Sequence, residues 1–148
     1  MEKKDEDLYQ GYFPEETVHQ DVFFKLGYLH FVWDRAKSDK CRRERGFDFR
    51  TAAMVFNDDD CLYAQDQAHS EGEERMAALG QPSPTPMEEK TNGIPATLIG
   101  AVNQVLYVVY TERATEYGED LYRIISARLA TSLEKRVYEE NRFQRYIE

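Results

Sequence analysis

Long apolar runs, paired cysteines and clustered histidines are all missing from this 148-residue chain. No uninterrupted apolar stretch approaches the roughly 20 residues that a membrane-spanning helix needs. The opening residues Met1-Glu2-Lys3-Lys4-Asp5-Glu6-Asp7 hold no apolar segment of the kind that leads a protein into secretion. The reading is therefore a soluble, cytoplasmic protein without a membrane partner. The only two cysteines, Cys41 and Cys61, form no C-x-x-C pair, and the histidines stand apart at positions 19, 30 and 69. Reduced packing thiols are expected, with no zinc site, no other metal and no cofactor.

Net positive charge is missing as well. A formal charge of −9 argues against a general nucleic-acid binder. The charge is unevenly spread, however. Residues 1–30 carry −4 and residues 57–80 carry −6, whereas residues 31–56 carry +3. Within that basic segment Arg35, Lys37, Lys40, Arg42, Arg43 and Arg45 fall on one helix-length stretch. Such a helix could follow an RNA backbone, be an ordinary solvated face, or dock an acidic partner. The acidic run Asp58-Asp59-Asp60 with Asp66, Glu71, Glu73 and Glu74 does not match a calcium loop, because no glycine falls at the required position; it reads as a solvated loop.

What is present suffices for one core, since 41% of the residues are apolar and 13% aromatic. Residues 1–20 are polar and lack periodicity. Residues 22–33 are aromatic and favour β structure, with a bend at Gly27 and a strand over Phe31–Trp33. Asp34 is placed to cap a helix that runs to about Arg45 and closes at Gly46. Phe49, Ala52, Ala53 and Phe56 form one stripe of a second helix. Short strands follow at Cys61–Ala64 and Arg75–Leu79. Three prolines on alternate positions make residues 81–103 a loop. Val105–Tyr110 and Leu121–Ala127 read as a hairpin across Thr115–Asp120, and Thr131-Ser132-Leu133-Glu134 as a capping box opening a last helix. The order β-α-α-β-β-β-α predicts an α+β fold, with helices against an antiparallel sheet.

Several fragments, in order, resemble the BrnT toxins. They are Phe31-Val32-Trp33-Asp34 with Lys37, Gly46-Phe47-Asp48-Phe49, Ala52-Ala53, Val55-Phe56 and Asp66. Next come His69-Ser70-Glu71-Gly72-Glu73-Glu74-Arg75 and Leu79-Gly80. Val108-Val109-Tyr110-Thr111-Glu112-Arg113, Arg123-Ile124-Ile125-Ser126-Ala127-Arg128, and Ala130-Thr131 with Glu134 and Tyr138 complete the set. The resemblance leaves residues 1–30 as an N-terminal extension and 81–103 as an inserted loop in a domain spanning 31–148. It implies a RelE-like fold and a metal-independent ribonuclease toxin of a type II toxin–antitoxin system. The implied partner is a BrnA-like ribbon-helix-helix antitoxin, with operator DNA bound only through the complex. The chain departs from the family pattern at Glu44-Arg45, where relatives usually carry Lys-His, and at Cys41, where an Asn is common. An arginine can hold a phosphate but cannot act as a base. A catalytically inactive interaction protein in a repressor complex is the alternative.

Metal-free RNA cleavage needs a base for the 2′-hydroxyl, cations for the transition state and an acid for the leaving oxygen. The expected site joins Arg75, Arg113 and Arg128 at the ends of two paired strands, with Lys37 reaching in from the first helix and Glu112 as base. Tyr110 is expected to stack on a base or donate a proton, and Lys40, Arg42, Arg43 and Arg45 to hold RNA. Glu112, Arg113 and Arg128 could equally be a structural ion-pair network.

Overall fold

The computed structural model describes residues 19–66, 72–83 and 104–147. Two strands open it, β1 (Asp21–Leu26) and β2 (Leu29–Asp34). Helix α1 (Arg35–Arg45) follows, then α2 (Phe49–Ala53) and a 3₁₀ turn (Met54–Asn57). Strands β3 (Leu62–Gln65), β4 (Met76–Gly80), β5 (Leu106–Ala114) and β6 (Asp120–Leu129) lead to α3 (Ser132–Ile147).

The strands make one sheet in the order β1-β2-β6-β5-β4-β3. All neighbours are antiparallel except β2 and β6, which run parallel from His30↔Leu121 to Trp33↔Ile124. The α+β class is as expected, while the sheet is mixed by that one pair. Residues 21–30, set apart in the sequence as an extension, supply β1, the turn and the start of β2 in the hairpin that forms this end of the sheet. Gly27 makes the turn possible: its φ of 61° is a conformation that side chains with a Cβ rarely adopt. A strand before Gly27 escapes the alternation rule because Val22 and Phe24 pack inward, yet Phe23 between them is apolar and exposed.

Most of the core lies between α1, α2, the 3₁₀ turn and one face of the sheet. Phe31 and Trp33 from β2, Leu106, Val108 and Tyr110 from β5, and Ile124 and Ala127 from β6 meet Cys41, Phe49 and Met54 there. The rings of Phe31, Tyr110 and Tyr122 gather round Phe56 at centroid distances of 5.1, 5.0 and 5.3 Å. Such tilted and edge-on pairs each contribute about 0.5–1.5 kcal/mol beyond burial. The second predicted helix shortens into α2 plus the 3₁₀ turn, but its apolar stripe is intact. Gly46 closes α1 by donating its N–H to Arg42 O at 3.0 Å. Both cysteines are free thiols. Burial pushes Cys41 up to about 11 and Cys61 up to about 12.

The opposite face, carrying Leu79 and Tyr107, receives α3 through Tyr138. The capping box forms as predicted: Glu134 N donates to Thr131 Oγ1 and Thr131 N donates to Glu134 Oε1, at 3.1 and 2.9 Å. Within the acidic run Asp58 is not merely solvated. Asp58 accepts the Tyr138 hydroxyl at 2.6 Å, Gln81 N at 2.8 Å and Asp60 N at 3.0 Å. It thus ties the 3₁₀ turn, the end of β4 and α3 together. Residues 67–71 and 84–103, which hold His69 and nearly all of the proline-rich loop, lie outside the described residues.

Losing the Tyr138 hydroxyl removes one of these bonds, whereas losing the Asp58 carboxylate strands several donors. Tyr138→Phe is expected to cost about 1 kcal/mol of stability and Asp58→Ala roughly 2–4 kcal/mol. Urea denaturation of both variants checks that ordering.

Candidate nucleic-acid interface

Strict alternation along β6 would put Arg123 and Arg128 on opposite faces of the sheet. The register prevents this. Val109 pairs with Ser126 but Tyr110 pairs with Ile124, so Ile125 is an extra residue in β6. A bulge of this kind resets which way the following side chains point. Arg123 stands opposite Thr111 and Arg128 opposite Tyr107, so both share a face with Arg113. The Arg128 guanidinium sits 4.2 Å from the Tyr107 ring centre, consistent with that placement.

The arginines share this face without converging. Arg113 pairs with Leu121 and Arg128 with Tyr107, positions about six residues apart on β5, or roughly 20 Å. Each has an acidic partner. Arg113 donates to Glu73 at 2.6 Å, and Arg128 grips both oxygens of Glu134 at 2.8 and 3.0 Å. Glu134 therefore completes the capping box and holds Arg128 at once. Arg75 lies between these positions, just before β4, and its carbonyl accepts Asp66 N at 2.8 Å. Asp66 is buried and accepts the Tyr107 hydroxyl at 3.2 Å. The Thr111 hydroxyl is also buried, with no hydrogen-bond partner among the described residues.

Glu112 is exposed and pairs with Tyr122, which turns it away from Arg113 and Arg128. The expected base and the expected phosphate ligands thus stand on opposite faces. Tyr110 is only 3% exposed and packs against Phe56 and Tyr122, so it offers no ring to a nucleotide. The apolar neighbours that make β5 the strongest strand in the sequence are the same ones that bury it. Lys40, Arg42, Arg43 and Arg45 lie exposed on α1. Lys37, Lys40 and Arg45 line a cleft of about 270 Å³ between α1 and residues 125–127 of β6, with Glu44 among them.

A further cluster went unread in the sequence. His19, Asp21, Asp34, Lys37 and Arg123 line a cleft of about 430 Å³ beside the β2–β6 pair. His19 Nδ1 is 2.8 Å from Asp34 Oδ2, and Gln20 N donates to Asp34 Oδ1 at 3.2 Å. Asp34 holds the N-cap position predicted for it but makes no capping bond; its carboxylate is turned to His19 and Gln20 instead. Although burial raises its pKa, the His19 bond and charge and the Gln20 N–H outweigh this and hold it below its ordinary 3.8. Arg123 donates to Asp21 at 3.1 Å. Only the fold brings position 123 to positions 19–37, and no local motif announces it. Among the described residues no group of three His, Cys, Asp or Glu side chains is placed to hold a metal ion, and no helix is long and apolar enough to cross a membrane.

The Arg128–Glu134 clasp carries a pH dependence. The Arg128 hydrogen bond, opposed by desolvation and helped by Thr131 N–H, holds Glu134 below its ordinary 4.5. A carboxyl group depressed in the folded state stabilises fully above its unfolded value and loses that contribution as pH falls through the folded one. The stability advantage of the parent over Glu134→Gln should be constant above pH 5 and shrink below 4.5. Urea titrations at pH 7 and pH 3 measure it.

No curated protein matches the chain. Residues 33–86 match the family described as "Ribonuclease toxin, BrnT, of type II toxin-antitoxin system". That stretch runs from the end of β2 through both N-terminal helices and past β4, and over it the chain is similar to the BrnT ribonuclease toxins, as its sequence fragments indicate.

Proposed function

We propose that the protein is the toxin of a type II toxin–antitoxin system and cleaves RNA without a metal ion. The single observation that carries this reading is the BrnT match over residues 33–86. The chemistry of the sheet supports it. Arg113 and Arg128 are directed to one face by register, and Arg75 sits at the edge of the same face. Their guanidinium groups suit phosphate oxygens. Both Arg113 and Arg128 now hold carboxylates, which an incoming phosphodiester would have to displace. Lys37 adds a cation from α1, and Lys40, Arg42, Arg43 and Arg45 supply a track for the RNA backbone. A type II system implies an antitoxin. We take it to be a BrnA-like ribbon-helix-helix protein whose acidic surface covers α1, operator DNA being bound only by the complex. The chain is placed in the cytoplasm, as a RelE-like domain over residues 31–148 with added segments at 1–30 and 81–103.

The carboxylates held by Arg113 and Arg128, together with Glu112 on the far face, favour one alternative: a non-catalytic relative that only binds the antitoxin. Expressing the chain alone separates the two. A ribonuclease toxin arrests growth and fragments RNA, and co-expression of the neighbouring antitoxin gene relieves the arrest. Arg128→Ala should abolish the arrest while the protein stays folded, and cleavage by the purified parent should persist in EDTA. Unchanged growth with abundant folded protein supports the non-catalytic relative.

A further inference from the structure

We infer that His19 is the general base for cleavage of a single-stranded RNA phosphodiester, held in position by Asp34 and working beside Lys37 in the cleft at the β2–β6 junction. The inference rests on the ribonuclease reading and deepens it by naming the missing proton acceptor.

The geometry carries the argument. His19 Nδ1 lies 2.8 Å from a carboxylate that is itself only 5% exposed, whereas the His19 side chain is 69% exposed. Asp34 also accepts Gln20 N, and Arg35 N donates to Gln20 O at 2.8 Å, so the backbone on both sides of the pair is pinned. An ionised carboxylate can only accept, so Nδ1 carries the proton and donates it. The lone pair is then on Nε2, the other ring nitrogen. A carboxylate behind an imidazole fixes its tautomer and stabilises the imidazolium formed when Nε2 takes a proton.

The surrounding charges suit a phosphodiester. Asp21 is matched by Arg123 at 3.1 Å. Lys37 lines the same cleft, and among the described residues no carboxylate lies within ion-pair distance of its ammonium. Lys37 offsets Asp34 and Arg123 offsets Asp21, so a single negative phosphate meets no net repulsion from these four groups. The volume of about 430 Å³ admits one nucleotide linkage.

The step balances with these groups alone. His19 Nε2 removes the 2′-hydroxyl proton, and the freed oxygen pair forms a bond to phosphorus. The bond from phosphorus to the 5′-oxygen breaks, and that oxygen takes a proton from the Lys37 ammonium. The products are a 2′,3′-cyclic phosphate and a 5′-hydroxyl, after which His19 and Lys37 exchange protons with water and recover their starting states. Asp34 acts through His19 as a positioning residue.

The test uses the purified full-length chain and a mixed-sequence single-stranded oligoribonucleotide, with its 2′-O-methyl counterpart as the uncleavable control. His19→Gln, on an exposed position, is expected to unfold within a few degrees of the parent while kcat falls roughly 10²–10⁴-fold. The acid limb of the parent's kcat/KM profile should disappear, free imidazole should restore part of the rate, and parent products should end in cyclic phosphate. Undiminished cleavage by His19→Gln overturns the inference and leaves the ribonuclease reading standing. So does a diminished rate with an unchanged pH profile and no response to imidazole, which marks His19 as structural. An inactive parent overturns both.

Discussion

The parallel pairing of β2 with β6 is the constraint on which the rest of the structure depends. It joins the N-terminal hairpin to the centre of the sheet, and it sets Val32 beside Arg123 and Trp33 beside Ile124. Without it, β1 and β2 would be an isolated hairpin, which is at best marginally stable in water. With it, Phe31 and Trp33 enter the common core under α1 and α2, while Asp21 and Asp34 come to the side of Arg123. One backbone pairing therefore serves both the packing and the polar cleft.

The second organising feature is the extra residue Ile125 in β6. It keeps Tyr122, Ile124 and Ala127 on the core face on both sides of the irregularity, although their spacing breaks the two-residue period. The same shift sends Arg123 and Arg128 to the other face together. At one end of that face Glu134 joins the start of α3 to β6 through Arg128, and Tyr138 reaches Asp58. The helix that closes the chain is thus secured by polar contacts as well as by the small apolar cluster of Leu79, Val105 and Tyr138.

Local patterns in the sequence were informative wherever a short segment decides its own structure. The end of α1 at Gly46, the stripe of Phe49, Ala52, Ala53 and Phe56, the hairpin of β5 and β6 and the capping box at Thr131 all fall where the residues put them. The parallel pair was not legible, because nothing local in His30–Trp33 specifies a partner some ninety residues later. Nor was the bulge, since both of its flanks read as good β structure. The bulge decides the faces of Arg123 and Arg128, and burial beneath the helices leaves Tyr110 almost without exposed surface. His19 was passed over as one of several scattered histidines, its partner Asp34 having been assigned to the cap of α1.

The proposal for His19 and Lys37 puts the cleavage of RNA where the N-terminal hairpin joins β6. The most direct measurement is NMR titration of the isotope-labelled full-length chain with an oligodeoxyribonucleotide, which lacks the hydroxyl needed for cleavage. The account predicts saturable shifts at the His19 ring and at the Lys37 and Arg123 side chains. Shifts confined to the exposed outer residues of α1, with His19 and Arg123 unmoved, would contradict it.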